Sequence, residues 1–319
     1  MKIAVVGYGE MFSNLVLGAL ESGNKVVGVM RYERTKYNSF VLFLKDIFCA
    51  GKDISFIKSL KLHEIKAKSV NSEDFKNEIL KLNPDIILVG SWGEKFSRET
   101  INLPKIGTVN CHPSLLPKYR GPNPYIRVID NGEELTGVTF HLMNEKFDAG
   151  AVLLQKKIPV IQGVNGDTGA TLKNKCCNLA RCGAAELFAN LDREIIIPIP
   201  QSDKDSTYYP QVGADDMVLD FRKTASEINR KIRAMTPWQS VFVPHGEEFF
   251  KVGEHEIKEN TTEYKKYGTI VEKSKNSFSV LCSDGKIVKF KKPKLFGKLK
   301  RPFTNFYIKF FVKTGDLAK

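Results

Sequence analysis

The first 30 residues constrain the fold more tightly than any other stretch. Lys2 to Gly7 reads as a buried strand ending in Gly7-Tyr8-Gly9-Glu10-Met11-Phe12; an apolar helical stretch, Leu15-Val16-Leu17-Gly18-Ala19-Leu20, and a second strand, Lys25 to Met30, follow. A strand-helix-strand opening predicts an α/β fold built on a doubly wound parallel sheet, with its ligand crevice at the carboxyl ends of the strands. The dinucleotide fingerprint is incomplete, because Phe12 fills the third glycine position and no acidic residue closes the second strand. Gly7 and Gly9 are therefore read as permitting a tight strand-to-helix turn rather than as a nicotinamide site.

Further along, Ser39 to Phe48 is apolar with basic and aromatic flanks and is expected to be helical. A helix over Ser72 to Leu82 stops at Asn83-Pro84 and precedes a buried strand, Asp85 to Gly90. Strand Gly107 to Asn110, helix 123 to 131, strands 137 to 142 and 151 to 160, and a helix over 168 to 190 complete a first domain, 1–205. The proline-rich, then polar, segment Ile195 to Ser206 reads as a linker. In the second domain, 206–319, an amphipathic helix over Thr224 to Met235 is stopped by Pro237. Five short strands follow, Val241–Val243, Glu248–Val252, Thr269–Glu272, Ser277–Leu281 and Ile287–Phe290, which predicts a small OB-like β-barrel. A length of 319 residues, about twice the commonest domain size, agrees with two domains.

Of the net charge of +13, residues 251–319 hold most: 17 Lys+Arg against 7 Asp+Glu, a net of +10, leaving 32 against 29 elsewhere. Such asymmetry is the electrostatic footprint of polyanion binding, although a solvated lysine-rich surface has the same composition. No stretch reaches the roughly 18 apolar residues of a membrane span. The chain opens directly on a strand, and its six cysteines are scattered with no C-x-x-C pair. A cytoplasmic monomer with no membrane partner, no structural disulfide and no metal is expected.

The densest chemistry lies in Gly107-Thr108-Val109-Asn110-Cys111-His112-Pro113-Ser114-Leu115-Leu116-Pro117-Lys118-Tyr119-Arg120-Gly121. Asn110 and His112 are two apart at a strand end, so they project to one side and converge on one small molecule. Cys111 faces the other way, which argues against a Cys/His nucleophile. Asp148, in a loop between two strands, is the acidic candidate. Together Asn, His and Asp suit acyl transfer to an amine: a carboxamide donates to the carbonyl oxygen as it becomes negative, an imidazole carries the proton, and a carboxylate orients the imidazole. Taken singly, each residue has a plain structural use in a turn or cap.

The run Asn110-Cys-His112-Pro-Ser-Leu-Leu-Pro-Lys-Tyr-Arg-Gly121, with Thr136-Gly137-Val138-Thr139, Phe147-Asp148-Ala149-Gly150 and Thr236-Pro237-Trp238, resembles the signature of the 10-formyltetrahydrofolate-dependent formyltransferases. The resemblance covers nearly the whole chain. It implies a Rossmann-like formyltransferase domain, 10-formyltetrahydrofolate as formyl donor, no metal, and Asn110, His112 and Asp148 as the catalytic set. It further implies a folate-binding set of Val89, Gly90, Ser91, Trp92, Ser114, Leu115, Leu116 and Pro117. Among two-domain members the basic tail favours those acting on initiator methionyl-tRNA, with Lys291, Lys292, Lys294, Lys298, Lys300 and Arg301 on its phosphates. Where those members carry a Pro-Asp-Arg-Pro-x-Gly-Arg loop, this chain has Arg31-Tyr32-Glu33-Arg34-Thr35-Lys36, so Arg34 and Lys36 are the expected substitutes. That departure keeps an amino-sugar nucleotide as the alternative acceptor, and an RNA-binding protein on a degenerate scaffold as the non-enzymatic one.

Overall fold

A computed structural model describes residues 1–319 apart from Cys49 and Lys298. The chain forms two compact units, the first comprising Met1–Pro124, Leu135–Pro159 and Lys173–Tyr209, the second Tyr125–Glu134, Val160–Leu172 and Pro210–Lys319. In chain order the first half holds β1 (Lys2–Gly7), α1 (Gly9–Glu21), β2 (Lys25–Arg31), α2 (Glu33–Lys36), α3 (Ser39–Phe48), α4 (Lys52–Ser59), α5 (Glu73–Leu82), β3 (Ile86–Gly90), α6 (Arg98–Ile101), β4 (Gly107–His112), α7 (Pro124–Asp130), β5 (Leu135–Leu142), β6 (Val152–Pro159) and α8 (Gly169–Asp192). Then follow α9 (Ala225–Met235), β7 (Val241–His245), β8 (Glu248–Val252), β9 (His255–Glu259), β10 (Ile270–Ser274), β11 (Ser277–Leu281), β12 (Lys286–Lys291), β13 (Lys294–Leu295) and α10 (Thr304–Phe310). Among the described residues no helix is long and apolar enough to cross a membrane.

The first unit is built on a six-stranded sheet of order β2-β1-β3-β4-β5-β6. β1 to β4 run parallel, whereas β5 and β6 are antiparallel, so the sheet is mixed rather than wholly parallel. For β5 and β6 the reason is local: loop 143–151 between them is shorter than the dozen or so residues a parallel crossover needs, whereas β5 runs against β4 after the longer connection 113–134. β1 and β3 are buried on both faces, which explains their unbroken apolar sequences. At the turn after β1, a Cβ on Gly7 would lie 2.6 Å from Gly90 O and 2.9 Å from Phe12 Cβ, and Gly9 has φ +63°. The two glycines thus serve the turn itself, and Phe12 packs into the space that Gly7 leaves. β6 is the last strand, and beyond it Ile199 exchanges two main-chain hydrogen bonds with Val152, each 2.8 Å.

In the second unit α9 starts at a capping box, where Thr224 Oγ1 accepts from Glu227 N at 3.2 Å and Thr224 N donates to Glu227 Oε2 at 2.9 Å, a motif whose loss costs about 1 kcal/mol. Ile228, Ile232 and Met235 form its buried face. The strands make two antiparallel sheets, β10-β11-β12-β9 and β13-β8-β7. β9 and β13 are additional to the five strands expected: β9 carries three charges among five residues and β13 is two residues long, so neither announces itself by alternation. Phe250, Phe278 and Phe290, fully buried, pack with their rings tilted against one another, centroids 5.0 and 5.6 Å apart, each burial contributing about 1.5 to 3 kcal/mol.

Candidate active site

β4 and β5 pair antiparallel in a register that sets Asn110 opposite His141 and His112 opposite Thr139. All four side chains therefore point to one face at the strand ends, while Cys111 turns to the opposite side, where it is buried and burial pushes its thiol well up. The loop after β5 brings Asp148 to the same place. Its Oδ1 lies 3.2 Å from Asn110 Nδ2, 3.5 Å from His112 Nδ1 and 3.6 Å from His141 Nε2, and its Oδ2 accepts from Gly121 N at 2.9 Å. Two of the three residues expected from sequence, Asn110 and His112, thus converge on the carboxylate of the third.

His141 is a fourth member that sequence reading does not name. Its signal is the pairing of β5 with β4, which no local pattern in either strand contains. Its Nδ1–H donates to Leu142 O at 2.9 Å, so Nε2 carries the lone pair and accepts from Asn110 Nδ2 at 3.2 Å. Both hydrogens of the Asn110 amide are accordingly directed at protein acceptors.

The tautomer of His112 is set in the same way. Nε2–H donates to Tyr119 O at 2.7 Å, leaving Nδ1 as the basic nitrogen facing Asp148. Burial lowers the His112 pKa below its ordinary value, against the opposing pull of Asp148 and the Tyr119 carbonyl, so the ring is neutral at neutral pH. For Asp148, burial alone would raise the pKa; the positive charge that His112 takes up and the Gly121 N–H outweigh it and hold the carboxyl well below the usual range. A neutral base beside a permanent carboxylate is an arrangement that accepts a proton and stabilises the resulting imidazolium.

The loop after β4 is fastened by polar bonds that explain several of its residues. Ser114 is fully buried and spends its hydroxyl on Lys118 O at 2.8 Å. Leu116 is buried, its N bonded to Thr139 Oγ1 at 3.1 Å and its O to Gln155 Nε2 at 2.6 Å. Ser114, Leu116 and Val89 are thus buried in the wall of the crevice, the first two fastened by these loop bonds. Gly90 ends β3 in the interior, Ser91 is exposed with φ +57°, and Trp92, Leu115 and Pro117 are half-buried. Trp92 lies edge-on to Tyr32 with ring centroids 4.8 Å apart, and its buried Nε1–H has no hydrogen-bond partner among the described residues.

The two expected tRNA-facing regions differ. Arg34 is corrected: it is buried, with Nε 2.8 Å from Glu64 Oε1 and Nη2 2.8 and 2.9 Å from Glu64 Oε2 and Asp46 Oδ2, so no phosphate reaches it. Arg31, wholly enclosed, bonds Glu33 and Glu64 at 2.7 Å each and also Asp46. Lys45 and Asp46 tie α3 into this network, and the helix consequently shows Phe40, Phe43, Ile47 and Phe48 to solvent. Lys36 stays exposed, its Nζ 4.7 Å above the Tyr32 ring. In the tail Lys292, Lys294, Lys300 and Arg301 are exposed and Lys291 half-exposed; Lys298 lies outside the described residues. Lys291, Lys292 and Lys300 meet Glu256, Glu254 and Glu248 at 2.7, 3.4 and 2.6 Å.

Residues 1–184 match the formyl transferase family, and residues 211–309 match the formyl transferase C-terminal domain. The chain is 31% identical over 285 residues, 89% of each chain, to the methionyl-tRNA formyltransferase of Caldanaerobacter subterraneus subsp. tengcongensis. It is 27% identical over 293 residues, 90% of each, to that of Lachnospira eligens. In fold it is similar to the N-formyltransferase of Helicobacter canadensis, solved in complex with folinic acid and dTDP-3-aminofucose, at a TM-score of 0.66, 18% identity, and coverage of 92% of this chain and 99% of that one.

Proposed function

The chain belongs to the formyl transferase family, and from that premise we propose that it transfers a formyl group from 10-formyltetrahydrofolate to the amino group of initiator methionyl-tRNA. In this proposal the chain acts as a cytoplasmic monomer in which residues 1–205 carry the chemistry and residues 206–319 grip the tRNA. The observation that supports it most is the meeting of Asn110, His112 and His141 around Asp148, each within 3.6 Å of one carboxylate oxygen.

The residues at the β3 end fit a folate. Trp92, half-buried beside the rings of Tyr32 and Phe96, offers an apolar wall for a flat heteroaromatic ring. Gly90, Ser91, Leu115 and Pro117 complete that set. When bound, the folate supplies the formyl carbonyl. His112 Nδ1 takes the proton that the attacking amine sheds and returns it to the nitrogen that leaves. Asp148 stabilises the ring while it is charged, and the Tyr119 carbonyl keeps the proton on Nε2 so that Nδ1 stays the working atom. Asn110 polarises the carbonyl by exchanging one of its two present acceptors for the formyl oxygen, an interaction whose removal costs roughly 3 to 4 kcal/mol in comparable sites.

Lys36, Lys291, Lys292, Lys294, Lys300 and Arg301 are the proposed phosphate ligands. Exposed ion pairs are worth about 0 to 1 kcal/mol, so exchanging Glu256 or Glu248 for a phosphate costs little. Purified protein is expected to formylate charged initiator tRNA with a steep salt dependence, and His112→Ala to lower turnover roughly 100-fold or more. A flat salt response removes the tRNA grip, and unchanged turnover in the variant removes the proton carrier. The inward turn of Arg34 favours one second reading, an amino-sugar nucleotide acceptor, which needs no acceptor-stem grip. Labelled formyl donor offered to both acceptor classes distinguishes them.

A further inference from the structure

Gln201 lies outside every motif considered so far, yet its carboxamide has all of its hydrogen-bonding capacity committed at the active site. The pairing of Ile199 with Val152 carries the chain past the β6 edge and delivers Gln201 between two loops. Nε2 donates to Asp148 O at 2.9 Å and to Gly150 O at 2.7 Å; Oε1 accepts from Arg120 Nε at 3.2 Å and Nη2 at 2.9 Å. Arg120 is held in turn by Asp203 Oδ1 at 3.0 Å. The residue after it, Gly121, donates its N–H to the Asp148 carboxylate. A closed ring results: Asp148 main chain to Gln201, Gln201 to Arg120, Arg120 through one peptide to Gly121, and Gly121 back to the Asp148 side chain.

Asp148 is gripped at both ends by this ring, which fixes its backbone at a φ of +52°, in the left-handed region that aspartate tolerates better than most residues with a Cβ. We propose that Gln201 is a positioning residue for formyl transfer, one that sets the Asp148 carboxylate at its working distance from His112 and does so through Arg120 and the Asp148–Gly150 turn. The inference deepens the proposed function and rests on it. A carboxamide is required at position 201, since only that group presents two donors to the carbonyls and two lone pairs to the guanidinium at once.

The test uses full-length protein with labelled formyl donor and whichever acceptor the wild type accepts. Gln201→Met removes all four bonds at nearly constant volume. Gln201→Glu keeps the acceptor for Arg120 but sets oxygen against two carbonyls, and it carries the test if the methionine variant does not fold. Either change is expected to lower kcat by about 10- to 100-fold, as for a displacement of about 1 Å in a catalytic group, with KM values for donor and acceptor changed far less. In Gln201→Met the acid limb of the kcat profile moves to lower pH, because Asp148 no longer raises the His112 pKa as fully. Asp148→Asn and the double variant Asp148→Asn with Gln201→Met are expected to turn over alike, since the glutamine acts through the carboxylate. Wild-type kcat and an unmoved limb in Gln201→Met overturn the proposal, and so does a loss that multiplies with that of Asp148→Asn. A wild type that formylates neither acceptor class refutes the proposed function instead.

Discussion

The arginines after β2 and the cations of the last strands carry the same charge to opposite uses. Arg31 and Arg34, with Lys45, face Glu33, Asp46 and Glu64 in a closed set of three positive and three negative groups, all at least half-buried. Lys292, Lys294, Lys300 and Arg301 stand in water, and the glutamates that meet two of them, Glu254 and Glu248, are themselves open to solvent or half so. Charge in the first region is structural: it cannot leave, because a guanidinium taken out of water needs its carboxylates. Charge in the second is loosely held, because exposed pairs of this kind are worth only about 0 to 1 kcal/mol. The difference lies in what surrounds each cation, and the number of cations in the sequence is silent on it.

Removing a member of the closed set sharpens the contrast most. Arg31→Met leaves three acids without their shared partner and is expected to cost about 3 to 5 kcal/mol of stability, read from denaturant unfolding; a loss below about 1 kcal/mol would mean that the network is no more than a surface cluster. Reversing the tail, with Lys292→Glu, Lys294→Glu and Arg301→Glu together, is expected to weaken binding of initiator tRNA at least about tenfold and to flatten its salt slope by about one unit for every phosphate left without its cation. Unfolding should be unaffected, and unchanged tRNA binding would break the comparison from the other side.

Acid separates the regions next. Burial would raise the Glu33 pKa, but Lys45 and Arg31 outweigh it, so its folded-state value lies below the unfolded one. The stability it contributes is therefore present above its unfolded pKa of about 4.3 and lost as the pH falls through the folded value. Wild-type stability should decline below about pH 4, and Glu33→Gln should reduce that slope; an identical slope would remove Glu33 from the linkage. The smallest effect is expected of Lys294→Ala alone, within about 0.5 kcal/mol in either direction by thermal unfolding.

How much of this is legible in sequence follows from the range of each signal. Asn110 and His112 are readable because a strand repeats every two residues, so a spacing of two guarantees one face. Thr224 and Glu227 are readable as a helix start for the same local reason. His141 is not, since its place depends on which residue of β5 lies opposite Asn110, and a shift of one would turn it into the core. Arg34 reads locally as a tRNA ligand and is not one, because its partner Glu64 stands 30 residues further on, beyond any local pattern. The apolar pattern of α3 announces a helix correctly but not its orientation, which Lys45 and Asp46 decide by turning inward.

The bond pair between Ile199 and Val152 matters for anyone dividing this chain. β6 has β5 on one side only, and the backbone groups of Val152 on its other side are satisfied by a segment that lies beyond residue 184, where the first family match stops. A fragment trimmed to that match would leave the N–H and C=O of Val152 without these partners and would add one more open position to the β6 edge, and open strand edges recruit one another into aggregates. A fragment meant to keep the first unit should therefore run through Tyr209, where that unit ends, so that Ile199 stays on Val152.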